Sequence, residues 1–165
     1  MQRIIQFFPN IFTLANLSSG MTALVLIVNH LPRYATILIL FSALFDLFDG
    51  KVARALKVTS EFGVELDSLA DVVSFGVVPA LAFYETSPGH LLSALVLILF
   101  PIAGALRLAR FNTRPKVGYF EGLPITAAGL ILCLLLWIPI YFNAIAYAAL
   151  LFSILMVSKI RFKKL

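Results

Sequence analysis

The chain has 165 residues, of which 61% are hydrophobic and only 13% charged, with a formal net charge of +5 and a mean hydropathy of +1.00. A water-soluble domain is nearer half apolar and a quarter charged, so an ordinary cytosolic enzyme, a secreted module and a disordered tail are excluded. The positive charge sits in short clusters between apolar runs, which suits membrane topology and anionic headgroups, and no nucleic-acid partner is expected.

At roughly 20 residues per span, this length holds about six transmembrane helices and no separate soluble domain, so residues 1–165 read as a single membrane domain. Residues 1–8 read as a short interfacial helix, with Ile4, Ile5, Phe7 and Phe8 on the apolar side and Arg3 among headgroups. No cleavable signal peptide is expected. Pro9 and Asn10 begin a first span over about 11–28, whose Thr13, Asn16, Ser18, Ser19 and Gly20 suit a helix facing protein rather than lipid. The second span, 34–57, is about 36 Å long at 1.5 Å per residue, so its last turns, with Lys51, Arg54 and Lys57, project into water.

A polar link over 58–65 contains Gly63. The third span follows at 66–84 and the fourth at 89–109, with Pro101 and Gly104 as bend points. A link rich in Arg, Lys, Gly and Pro covers 111–122, and the fifth and sixth spans occupy 123–138 and 144–158 before a basic tail. With the N-terminus inside, twelve of the thirteen Lys and Arg residues fall on the cytoplasmic side and only Arg33 on the other. Both termini are therefore expected in the cytoplasm. Trp137, Tyr141 and Tyr147 read as an outer aromatic belt, His30 and His90 as outer-loop residues, and the lone Cys133 as an apolar packing residue.

Four of the eight acidic residues, Asp46, Asp49, Asp67 and Asp71, fall in two adjacent helices. Each costs about 2.5–3.5 kcal/mol near a membrane centre, so the set needs compensation. Asp46, Asp49, Gly50 and Ala53 lie at about 0°, −60°, +40° and −20° around one helix and so share a face. Asp67 and Asp71, four apart, share a face of the next. The hairpin joins these faces into an all-oxygen cluster suited to Mg²⁺, Mn²⁺ or Ca²⁺, and two divalent ions would balance its formal charge. Gly50 and Ala53 let a ligand approach the backbone, and Arg54 offers a fork for phosphate oxygens. Two alternatives stand beside this reading: salt bridges from Arg54, Arg107 and Arg110 as structural glue, and an ion or proton pathway of a transporter.

Written out, the segment is Asp46-x2-Asp49-Gly50-x2-Ala53-Arg54-x8-Gly63-x3-Asp67-x3-Asp71. It resembles the signature of the CDP-alcohol phosphotransferase family at every fixed position. The resemblance implies an all-α polytopic enzyme, a homodimer, that passes a phosphatidyl group from a CDP-linked lipid to an alcohol and releases CMP. It also implies that the four aspartates bind two divalent cations, Mg²⁺ or Mn²⁺, and that Asp71 is the general base. Gly50, Ala53, Arg54 and Gly63 would line the nucleotide and diphosphate site, with Ser60 near a phosphate.

A second region, Gly104-Ala105-Leu106-Arg107-Leu108-Ala109-Arg110-Phe111-Asn112 with Phe120-Glu121-Gly122-Leu123-Pro124, resembles the phosphatidylserine synthase branch. That branch implies CDP-diacylglycerol, or CDP-archaeol, and L-serine as substrates. Arg107 and Arg110, three apart, suit the serine carboxylate or a lipid phosphate, with Asn112 beside them; positive-inside anchoring accounts for the two arginines equally well. Asn10 and Thr13 open the first span near the nucleotide, where Asn10 also suits an N-cap. Glu121 suits either the serine amino group or a salt bridge to Lys116. Glycerol 3-phosphate and inositol phosphate remain as alternative acceptors.

Overall fold

A computed structural model describes residues 2–56, 60–113 and 119–163. Lys57, Arg114, Lys116 and Lys164 lie outside the described residues, as do the side chains of Arg3, Ala53, Glu121, Arg161 and Lys163. The described residues form six helical rods: α1 (Gln2–Val28), α2 (Pro32–Leu56), a compound rod over 61–86, α5 (Leu91–Thr113), α6 (Ile125–Leu135) and α7 (Phe142–Val157). The compound rod consists of α3 (Glu61–Asp71), a π-helical segment (Val72–Val77) and α4 (Val78–Thr86).

Three stretches, Asn10–Val28, Glu61–Thr86 and Leu91–Thr113, are long and apolar enough to cross a membrane; α6 and α7 are shorter apolar helices. The bundle buries polar side chains within its apolar core and leaves large apolar ones on its outer surface. Thr13, Asn16, Ser42, Ser74 and Arg107 are buried, whereas Ile11, Leu14, Leu40, Ile98 and Ile154 are exposed. In water that arrangement would be unfavourable; in hydrocarbon it is what a bundle requires, and the chain is an integral membrane protein.

The boundaries differ from expectation in ways that have physical causes. The N-terminal segment is helical but continuous with the first span, since α1 runs through Pro9 without a break. The third rod begins at Glu61 rather than residue 66, because Ser60 caps it: the Ser60 hydroxyl accepts from the Gly63 backbone N–H at 3.0 Å. Gly63 therefore lies in the first turn of α3, not in a link. The same rod changes pitch after Asp71. Pro79 has no N–H for the Phe75 carbonyl and its ring would crowd it, so wider turns carry the chain past, as in Val78 N–H to Val73 O. The Phe75 carbonyl rests against Gly129 of α6, where a Cβ would strike it.

α1 and α2 form the most intimate helix pair, sealed by Ala23, Ala35 and Ile39 and by Ser19 Oγ donating to the Leu38 carbonyl at 2.9 Å. Such interhelical hydrogen bonds contribute only about 0.6 kcal/mol each in a bilayer, so close packing of small residues carries most of the association. Gly104 of α5 receives the Ile125 side chain, and Gly76 packs against Pro101. A feature absent from the expected architecture is an antiparallel ribbon of β1 (Tyr119–Glu121) and β2 (Arg161–Lys163), which pairs Phe120 with Phe162. Gly122, at φ +73°, turns out of it, and its N–H donates to Ile160 O at 3.0 Å.

Gly129→Val should cost about 1–3 kcal/mol through overpacking against the Phe75 carbonyl. Thermal unfolding in detergent should show the lower midpoint.

Candidate functional site

The carboxylates meet where α2 passes the α3 end of the compound rod. One oxygen each of Asp46, Asp67 and Asp71 lies within 4.8 Å of the other two. Asp49, one turn beyond Asp46, stands outside this trio. Its Oδ2 accepts the Thr13 hydroxyl of α1. Asp71 closes α3 at the start of the π-helical segment, and its Oδ1 accepts from Asn16 Nδ2 at 3.3 Å. Asp49 and Asp71 are both buried, at 8% and 7% exposure.

Helix α1 supplies the polar wall. Asn10, Thr13 and Asn16, three residues apart in turn, are all buried on the side that meets α2 and α3. Asn10 Oδ1 comes so near Gly63 that a Cβ there would lie 3.1 Å from it. The Arg54 guanidinium folds over Gly50, where a Cβ would sit 3.4 Å from Nη1, so these two expected partners are adjacent. The Ala53 side chain lies outside the described residues. Ser60 is engaged as the cap of α3.

Of the three residues expected around an acceptor, the fold brings Arg107 to the aspartates and uses the other two to join helices. Arg107 is buried at 8% exposure, interacts electrostatically with Asp71, and its Nε has no hydrogen-bond partner among the described residues. Arg110 Nη1 donates to the Val157 carbonyl at the end of α7, at 2.8 Å. Asn112 Nδ2 donates to Ser68 Oγ at 3.0 Å and Glu65 Oε1 at 3.3 Å, tying α5 to α3. His30 pairs with Glu85 and Trp137 donates to Thr36, both at the far end of the bundle.

Among the described residues no Lys or Arg comes within 4 Å of any of the four carboxylates, so structural salt bridging does not account for them. At 4.8 Å, each ionised pair repels by about 3–4 kcal/mol at an effective dielectric of about 20. Asp67 Oδ1 is buried without a hydrogen-bond partner among the described residues. Hard oxygen donors, excess negative charge and an orphaned oxygen are the donor set that a divalent cation satisfies. Sequence reasoning placed Asn16 on a protein-facing surface without assigning it to the site. The available signal is its place in the series Asn10, Thr13, Asn16, each three residues after the one before.

A family profile described as CDP-alcohol phosphatidyltransferase matches residues 6–156. The chain is 39% identical to a CDP-diacylglycerol–serine O-phosphatidyltransferase of Helicobacter pylori, over 94% of this chain and 71% of the relative. It is 34% identical to one from Mycobacterium leprae (98% of this chain, 59% of the relative) and 36% identical to one from Bacillus subtilis (94% and 89%). The chain thus spans from about three fifths to nine tenths of these relatives' lengths.

Asp67→Asn should raise the unfolding temperature in EDTA, by about 2–4 °C for each kcal/mol of repulsion relieved. Mg²⁺ or Mn²⁺ should shift the parent upward, and the same variant should lose that shift. Thermal scans with and without the ion measure both effects.

Proposed function

The chain belongs to the CDP-alcohol phosphatidyltransferase family, and from that premise we propose that it transfers a phosphatidyl group from CDP-diacylglycerol, or CDP-archaeol, to the hydroxyl of L-serine. The observation that carries the chemistry is the trio Asp46, Asp67 and Asp71, close together and with no Lys or Arg within 4 Å among the described residues. Serine as acceptor is supported by the activity for which the relatives are named. Residues 1–165 act as one domain in this reading, and the active form is a homodimer.

The acceptor oxygen bonds to the phosphorus that carries the lipid, the bridging P–O bond to CMP breaks, and the hydroxyl proton passes to a carboxylate. Asp71 is that base: its hydrogen bond to Asn16 and the nearby Arg107 hold it in place. Asp46, Asp49, Asp67 and Asp71 would hold two divalent cations, Mg²⁺ or Mn²⁺. When bound, such ions neutralise the diphosphate, polarise the attacked phosphorus and stabilise departing CMP. Thr13 fixes one Asp49 oxygen and leaves the other available.

Gly50 and Arg54 receive the diphosphate: the glycine admits it to the helix surface and the guanidinium supplies the fork. Asn10, Thr13, Ala53, Ser60 and Gly63 line the nucleotide side. Arg107 meets the serine carboxylate, and its buried Nε, without a hydrogen-bond partner among the described residues, supports that role. Arg110 and Asn112 act as the wall behind it, by holding α7 and α3 against α5. The site opens to the cytoplasm in this reading, with both termini on that side and the lipid chains remaining among the helices in the cell membrane. The even crossing number between the paired strands β1 and β2 supports it.

Purified protein with CDP-diacylglycerol and Mn²⁺ should release CMP when serine is added, and should stop in EDTA. Glycerol 3-phosphate and inositol 1-phosphate, offered separately, should give none. Release with one of them instead would keep the metal site and overturn the serine assignment; no release with any acceptor, and none with CDP-archaeol, would favour a transporter. Asp71→Asn should lower turnover by about 10²–10⁴-fold while leaving the protein folded. Arg107→Lys should raise the KM for serine far more than that for the CDP-lipid, as steady-state kinetics on both substrates would show.

A further inference from the structure

We propose that Asn16 is a positioning residue for Asp71, its side-chain amide fixing which carboxylate oxygen Asp71 presents to Asp46 and Asp67. The proposal rests on the reading of Asp71 as base and cation ligand, but not on which alcohol is the acceptor.

Asn16 is fully buried, at 0% exposure, midway along α1. Three elements converge on it. Its Nδ2 donates to Asp71 Oδ1 at 3.3 Å, and its main-chain carbonyl accepts both Ser42 Oγ of α2 at 3.3 Å and Ser74 Oγ of the π-helical segment at 3.2 Å. Gly20, one turn further along α1, leaves the room Ser74 needs, since a Cβ there would meet Ser74 Oγ first. The backbone of Asn16 is thus pinned to the helices on either side of the carboxylates, and its amide reaches Asp71 from a fixed point.

The chemistry of the amide sets its orientation. Turned the other way, Oδ1 would face the Asp71 carboxylate, oxygen against oxygen, and no hydrogen bond would form. In the orientation adopted, Asn16 Oδ1 is buried with no partner among the described residues, which costs about 1–3 kcal/mol. An apolar side chain would avoid that cost, so stability alone does not account for an amide here. Its return is the bond to Asp71: with Oδ1 of Asp71 engaged, rotation of the carboxylate is arrested and Oδ2 is left for a proton or a cation. A side chain with no exposed surface does not reach substrate, so Asn16 acts through Asp71.

The test uses Asn16→Ala and Asn16→Ser, each alone and combined with Asp71→Asn, in purified full-length protein. A serine hydroxyl at this position bonds back to its own helix and falls short of Asp71. Two readouts are taken: Mn²⁺ affinity without substrate, from the electron paramagnetic resonance signal of free Mn²⁺, and steady-state CMP release. Each single variant should weaken Mn²⁺ binding and lower kcat by about 10- to 100-fold. The KM for CDP-diacylglycerol should stay within about threefold of the parent. In the Asp71→Asn background the substitutions should weaken Mn²⁺ binding no further, because their effect passes through Asp71. A kcat within about twofold of the parent, or an equal loss of Mn²⁺ affinity in the Asp71→Asn background, overturns the proposal. So does failure of both single variants to fold, which would make Asn16 a packing residue. Parent protein that binds Mn²⁺ but releases no CMP with serine defeats the acceptor assignment and leaves the Mn²⁺ comparison decisive for Asn16.

Discussion

Carboxylates held close together with no Lys or Arg within 4 Å among the described residues are the constraint on which the rest of this molecule depends. Asp46 on one helix and Asp67 and Asp71 on the next come together in an apolar bundle, with Asp49 one turn beyond Asp46, where repulsion is poorly screened. A fold assembled for stability alone would have paired or neutralised them. Instead, the hydrogen bonds they receive come from neutral donors, Thr13 and Asn16, which orient oxygens without removing charge. In the proposed reading that negative charge is kept for divalent cations and the diphosphate they would neutralise.

The packing around the cluster keeps it in register. α1 lies against α2 and α3 and presents Asn10, Thr13 and Asn16 to them, while small residues let the backbones approach closely enough for serine hydroxyls to reach carbonyls. Immediately after Asp71 the third rod changes pitch because of Pro79. The wider turns allow Asp71 to face the site while Phe75 and Gly76, just beyond, face the core. The wider turns that accommodate the proline thus adjoin the proposed base.

Much of this was legible in the sequence. The helical rods follow from apolar runs of span length, and the meeting of Asp46, Asp67 and Asp71 follows from spacings of three and four on consecutive helices. What was hidden had specific causes. Helical spacing puts Asp49 on the right face but does not say that Thr13 engages it. Arg107 and Arg110 share a face in sequence, yet the end of α7, remote in sequence, claims Arg110. The pitch change could have been suspected from Pro79, and the early start of α3 from Ser60 with Gly63. The ribbon had no such signal: strands of three residues in a basic link and a basic tail follow no hydrophobic pattern, and only the fold brings them side by side.

That ribbon has a consequence for how the protein is made. β1 precedes α6 and β2 follows α7, so their hydrogen bonds join the two feet of one helical hairpin. A nascent chain entering the bilayer from its N-terminal end cannot form this clasp until both helices have been threaded and the chain has returned. Because both strands lie C-terminal to the carboxylate-bearing helices, the clasp can close only after those helices have been made.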